Sequence, residues 1–299
     1  MIGRVSDANT FDFFQRRTVE VQVDIRRLQE QILSGRRLLA SSDDPLGAGQ
    51  VVRSNASLRA LSQWDENAEF GVRVLHSEDT ALGQANNLLV RAEEIASQMA
   101  SGLYSPAQRA AAREEVHGIL QGLTTLGNSE LAGRRLFGGL ALDAPAPFAD
   151  PDAPGYTAAT AYSGSTHEFE TTIGNNGDRV RLTTNGGTVF GSALQAVEAL
   201  DQALANDGDV GATLGGLAAA RDGLAAERAS VGARQAQLTT RSAQVKALTA
   251  QEAGVRSAAR DADFTVVATQ LAQAQTALQA LLAAAVQMKD NSLVGLLRL

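Results

Sequence analysis

Apolar side chains recur every seven residues at both ends of this chain, and that recurrence narrows the folds open to it. Near the C-terminus Phe264, Val267, Leu271, Ala274, Leu278, Leu281, Ala285 and Met288 follow one another at steps of three and four, and Val21, Ile25, Leu28 and Ile32 keep the same rhythm near the N-terminus. Such steps lay a narrow apolar stripe along one side of a helix, which is the pattern of a coiled-coil seam and not of a strand. Between the two seams lies a stretch punctuated by glycine and proline. The pattern predicts a mainly α protein whose long antiparallel terminal helices form a coiled-coil-like bundle, with a small antiparallel β insert in the middle.

Composition agrees with slim helices. Aromatic residues make up only 4% of the 299 residues while apolar residues reach 44%, so packing must rest on small and aliphatic side chains. The formal net charge of -7 argues against a nucleic-acid binder or a protein that lies on anionic membranes. The paired arginines at 16/17, 26/27 and 36/37 stand among Glu20, Asp24 and Glu30, as on a solvated mixed-charge helix face. Cysteine is absent, which removes disulfides, thiolate catalysis and Cys-based metal sites together. Residues 1–14 lack a basic start followed by a continuous apolar core, so no cleaved secretory signal is expected. No apolar run reaches the ~18 residues of a membrane span.

Along the chain, a first helix is expected over residues 6–33, ended by Gly35. In the segment SGRRLLASSDDP, Asp44 can cap the next helix and Pro45 can occupy its first turn. That second helix carries Leu58, Leu61, Ala68, Val72, Leu75, Leu82 and Leu89 on one stripe and should continue to about residue 99. Ser105-Pro106-Ala107-Gln108 is a capping-box pattern for a third helix through about residue 126. Prolines then cluster between 145 and 154, and residues 156–190 alternate like short strands: Phe169, Thr171 and Ile173, a turn at 175–178, then Val180, Leu182 and Thr184. A further turn is expected at Asn185-Gly186-Gly187, with helix resuming at 192–204 and again from about Val210 to a joint at 261–263. The expected division is therefore 1–139 and 192–299 as two helical halves of one assembly domain, with 140–191 as a variable insert. Lacking heptads, the stretch 143–190 is expected to be removable without loss of the helical scaffold.

Catalytic signals are missing. His76, His117 and His167 are far apart in sequence and form no metal-ligand spacing, and there is no Walker loop or nucleophile elbow. Gly47-Ala48-Gly49 follows no strand and reads as helix packing. Asp43-Asp44 and Asp261/Asp263 each precede a helical pattern, which favours capping over cation binding. No catalytic, cofactor-binding or metal residue is expected, and no cofactor.

Several segments resemble the bacterial flagellin superfamily and, within it, the hook-associated protein 3 family of hook–filament junction proteins. LQEQILSGRR at 28–37 is similar to the flagellin helix-to-loop "L...SG.R", and SSDDP at 41–45 to the "SDDP" of the junction family. GRRLFGG at 133–139 is similar to that family's "G.Y.F.G", departing from it at Arg135 and Leu136. DADF at 261–264 and SLVGLLR at 292–298 resemble the C-terminal segments of both subfamilies. The resemblance covers residues 1–140 and 210–299. It implies a structural adaptor, not an enzyme, joining hook-associated rings to the flagellin filament. It also implies export through the flagellar secretion apparatus without a cleaved signal, and an extracellular place in the flagellum. Implied partners are further copies of the chain in a ring or tube, a neighbouring hook-associated protein, flagellin, and a cytosolic export chaperone for the C-terminal helix; neither nucleic acid nor membrane insertion is implied. The candidate subunit-interface residues are Val21, Ile25, Leu28, Ile32, Phe264, Val267, Leu271, Leu278, Leu281 and Met288, with Asp44 and Pro45 as helix cap and turn. A filament flagellin is the nearest alternative reading, and a coiled-coil scaffold or signalling module a more distant one.

Overall fold

Each stretch of seven-residue periodicity is helical in the computed structural model, which describes residues 2–101, 104–140, 145–175 and 177–297, the side chains of 2–11 and 288–297 excepted. Six helices follow in order: α1 (Ile2–Ser34), α2 (Pro45–Met99), α3 (Pro106–Gly127), α4 (Gly186–Ala205), α5 (Leu214–Arg260) and α6 (Phe264–Leu297). Two antiparallel ribbons lie between α3 and α4, one pairing β1 (Glu130–Leu131) with β2 (Arg134–Arg135) and the other β3 (Glu170–Thr172) with β4 (Arg179–Arg181). The chain divides into a central unit, residues 60–248, and a terminal unit built from both ends, residues 1–59 and 249–299.

In the central unit, long helices pack side by side with seven-residue regularity. Leu61, Ala68, Leu75, Leu82 and Leu89 are buried on α2, and Leu217, Leu224, Val231, Leu238 and Val245 on α5. Arg221 with Glu93 at 2.8 Å, Arg228 with Asp79 at 3.0 Å and Lys246 with Glu69 at 2.9 Å run down this pair and fix its antiparallel register. Partly exposed pairs of this kind contribute about 0.2 to 1 kcal/mol each, so they select alignment more than they stabilise it. α3 packs on α4. It begins at the capping box that the sequence predicts: Ser105 Oγ accepts from Gln108 N at 3.3 Å, and Gln108 Oε1 accepts from Ser105 N at 2.9 Å.

The β3–β4 ribbon has the predicted alternation, with Thr171 opposite Val180. One expectation nevertheless gives way. The segment Asn185-Gly186-Gly187 is no turn between strands: Asn185 Oδ1 accepts from Gly187 N at 2.9 Å, α4 starts at Gly186, and Val189 and Phe190 are helical. A turn dipeptide and an N-cap draw on the same residues, and here the cap prevails. The insert also contributes to the core. Phe148, Ile173, Val180 and Leu182 are buried in the same apolar cluster as Leu75, Leu123, Phe190 and Leu238. The Phe137 and Phe148 rings meet that of Phe190 edge-on at 4.9 and 5.9 Å. Aromatics scarce over the whole chain are concentrated where helices alone would leave the core unfilled.

Candidate assembly surface

Two sequence segments with helix-ending chemistry meet in the terminal unit. Gly35, at φ +66°, turns the chain out of α1, and its carbonyl accepts from Ala262 N at 3.0 Å. Arg37 N donates to Arg260 O at 2.8 Å, and Arg37 Nη2 reaches Ala259 O at 2.7 Å, so the open carbonyl end of α5 is capped by the turn after α1. The same guanidinium donates to Asp44 Oδ2 at 3.1 Å. Asp44 Oδ1 accepts from Gly47 N at 2.9 Å, the N-cap arrangement for α2 with Pro45 at its first position. Asp43 Oδ2 accepts from Ala40 N at 2.9 Å and Leu39 N at 3.1 Å and so closes the turn. Across the joint, Asp263 Oδ1 accepts from Thr265 N at 2.9 Å and Val266 N at 3.2 Å and caps α6.

These contacts account for the electrostatics. The Gly47 amide, and then Arg37, hold the Asp44 carboxyl below the usual carboxylate range; the Ala40 amide does the same for Asp43. Asp261 is lowered chiefly by the Ser257 hydroxyl and then by Arg260. Among the described residues no group of three or more carboxylate or imidazole side chains is placed to hold a metal ion. His117 pairs with Asp152 at 2.7 Å, while His76 and His167 are exposed.

From this joint α1 and α6 run back along one another. Val21 and Val267 are buried, and Ile25, Leu28, Ile32, Leu271, Leu278 and Leu281 are half-buried. A groove of about 690 Å³ opens between the two helices, lined among others by Val21, Leu28, Gln31, Val267 and Ala274. Phe264 stands at the start of α6 and is 66% exposed, and the side chain of Met288 lies outside the described residues. The predicted residues of both seams are thus brought onto one helix pair within a single chain.

The heptad pattern misses a second set of apolar residues. Leu33 and Leu46 are 87% and 86% exposed, and Val19, Val23, Val52, Val266, Leu282 and Val286 also face outward. Spacings of four at Val19/Val23 and Leu282/Val286 were the available signal, overshadowed by the stronger seams beside them. Among the described residues, the exposed large apolar side chains outside this unit are Leu140 and Leu248. Among the described residues, Val21 and Val267 are the buried large apolar residues of the terminal unit, against a long roster in the central one. A unit that buries so little and exposes so much apolar surface is suited to contact with other proteins.

Parts of the chain are similar to known proteins. Residues 13–141 match the bacterial flagellin N-terminal helical region. The flagellar filament 41 kDa core protein of Borreliella burgdorferi is 32% identical over 93 residues, which are 31% of this chain and 28% of that protein. Flagellar hook-associated protein 3 of Salmonella typhimurium is 30% identical over 128 residues, 42% of this chain and 40% of that protein. The matched stretches therefore span well under half the length of these relatives. In fold, the chain is similar to a putative flagellar hook-associated protein from Vibrio parahaemolyticus, with a TM-score of 0.63 at 17% identity over 73% of this chain and 99% of that one. Bacillus cereus FlgL gives a TM-score of 0.58 at 19% identity, covering 69% of this chain and 99% of that one. Residues 13–141 are thus similar to the flagellin N-terminal helical region, and the chain shares sequence similarity with the flagellins and with flagellar hook-associated protein 3.

Proposed function

We propose that this protein is a structural subunit of the bacterial flagellum, an adaptor that joins hook-associated rings to the flagellin filament through its terminal helices. The observation that carries the reading is the uneven distribution of apolar surface: mostly buried in the central unit, exposed along α1, the start of α2 and α6. Catalysis plays no part in the proposal. The partners are further copies of the chain, a neighbouring hook-associated protein and flagellin, with a cytosolic chaperone covering the C-terminal helix before export. The protein leaves the cell through the flagellar secretion apparatus and resides in the flagellum. Its contacts are made by the helix pair carrying Val21, Ile25, Leu28, Ile32, Phe264, Val267, Leu271, Leu278, Leu281 and Met288. The halves 1–139 and 192–299 supply the assembly domain, and 140–191, whose buried side chains complete the central core, turns its exposed side to the outside of the assembly.

The similarity to flagellins favours a second reading, a filament subunit. The SSDDP turn, and a match to hook-associated protein 3 that runs over 128 residues against 93 for the filament protein, support the adaptor. Electron microscopy of cells lacking this protein separates the two. An adaptor predicts hooks without filaments and flagellin shed into the medium; bare hooks with no flagellin in the medium identify the filament subunit. Cells with filaments of ordinary length would exclude both.

A further inference from the structure

A carboxyl group with no exposed surface lies in the middle of the central unit. Glu78 of α2 is 0% exposed, and its Oε1 accepts from the Thr184 amide at 3.0 Å. Thr184 belongs to the short segment linking β4 to α4, so this bond ties that segment to α2. The Thr184 hydroxyl lies 3.2 Å from Glu78 Oε2 and equally 3.2 Å from Glu227 Oε1 of α5. Arg234 Nη2 donates to Glu227 Oε1 at 2.6 Å and to the Thr184 hydroxyl at 3.1 Å.

Counting hydrogens decides the state of this cluster. Thr184 has one hydroxyl hydrogen, and two carboxyl oxygens compete for it. If Glu78 is ionised, one of them goes without. If Glu78 carries a proton, its O–H donates to Thr184 Oγ1, which in turn donates to Glu227, and every partner is served. Charge leads to the same answer. Arg234 on α5 and Arg181 on β4 are the cations facing the cluster; Glu227 on α5 and Glu168 ahead of β3 are the anions, with Arg181 bonded to Glu168 at 2.8 Å. Asp79, the next residue on α2, is already paired with Arg228. Two cations balance two anions, and an ionised Glu78 would be a surplus buried charge.

We propose that Glu78 is a neutral carboxylic acid that latches the segment 181–185 onto α2 and α5, and that rising pH releases this latch. Burial, the largest influence, pushes the Glu78 carboxyl up to about 8 in spite of Arg234. Burial also lowers Arg234, but a guanidinium does not give up its proton, so Glu78 is the group that yields. The sign of the effect follows. A carboxyl with a raised value in the closed state holds its proton there and loses it on opening, so the latch is tightest below its ordinary value of 4.5. It weakens steadily as pH rises from there to about 8, and no further above that. The device is independent of any role in the flagellum.

Amide exchange at Thr184 in the full chain, followed by NMR, tests this directly. With base-catalysed exchange supplying one power of ten per pH unit, the linked proton adds a second between the ordinary value of 4.5 and the Glu78 midpoint, so the logarithmic slope should be about two in that window and about one above it. Glu78→Gln should give a slope of about one throughout, because an amide side chain has no proton to lose. In the wild-type chain the Glu78 carboxyl carbon should titrate near 8, and Glu227→Gln should move that midpoint down by removing the neighbouring anion. An ionised Glu78 carboxylate throughout neutral pH, or the same exchange slope in wild type and Glu78→Gln, would overturn the proposal; the carboxyl titration decides it even if the variants do not fold.

Discussion

Gly35 and Gly139 share a left-handed backbone, φ +66° and +65°, in opposite surroundings. Around Gly35 there is open space, whereas a Cβ on Gly139 would run into the carbonyl oxygens of Ser165 and His167. For Gly35→Ala the cost is backbone strain alone, about 1 to 2 kcal/mol, and Gly35→Asn should cost less because asparagine tolerates this conformation. Gly139→Ala adds a displacement of two main-chain segments and should destabilise its unit by more than that. Hydrogen exchange, which reads the two units separately, gives both numbers; equal costs would mean that the loop at 165–167 yields freely. Gly35 is recognisable in the sequence, since a glycine directly after a helical pattern is a stop signal in its own right. Gly139 is not. Its need for a missing side chain arises from residues 26 and 28 positions further on, which no local pattern reveals.

At the scale of elements, the same division between local and distant causes explains what could be read. Helix starts with their own chemistry were legible: Ser105 with Gln108 and Asp44 with Pro45 carry the cap and the capped residues within a few positions. Heptads at 61, 68, 75, 82 and 89 were legible for the same reason. Glu78 was not, because its burial depends on Thr184, 106 positions away, and on α5 beyond it. The inward side of the middle segment was not legible because short strands and loops carry no periodicity that announces it, and only the fold places Phe148 and Leu182 against helices. A prediction follows from that placement. Removing residues 143–190 takes Phe148, Ile173, Val180 and Leu182 out of the core together, where a single buried Phe→Ala change costs about 3 to 5 kcal/mol. Circular dichroism of the deletion protein should show a large loss of helix; full retention would mean that the helices close over the gap.

The whole molecule is divided by how much each unit buries on its own account. Helices α2, α3, α4 and α5 surround a continuous core in the central unit, while α1 and α6 of the terminal unit bury few large side chains. In a dilute monomer, limited proteolysis should therefore trim α1 and α6 well before it cuts the central unit. Protection of both units to the same degree would show that the terminal helices need no neighbours. Self-assembly should reverse the order by covering Val19, Val23, Val266 and Leu282. The bond from Arg37 to Ala259 joins residues 222 positions apart, and the turn after α1 cannot dock until α5 is complete. Both ends of the chain must therefore be present before this joint can exist, since one partner lies just past residue 34 and the other at the close of α5. A chain that is still being made, or is held extended, cannot offer the surface beside the joint to another copy, so premature association is prevented by incompleteness itself.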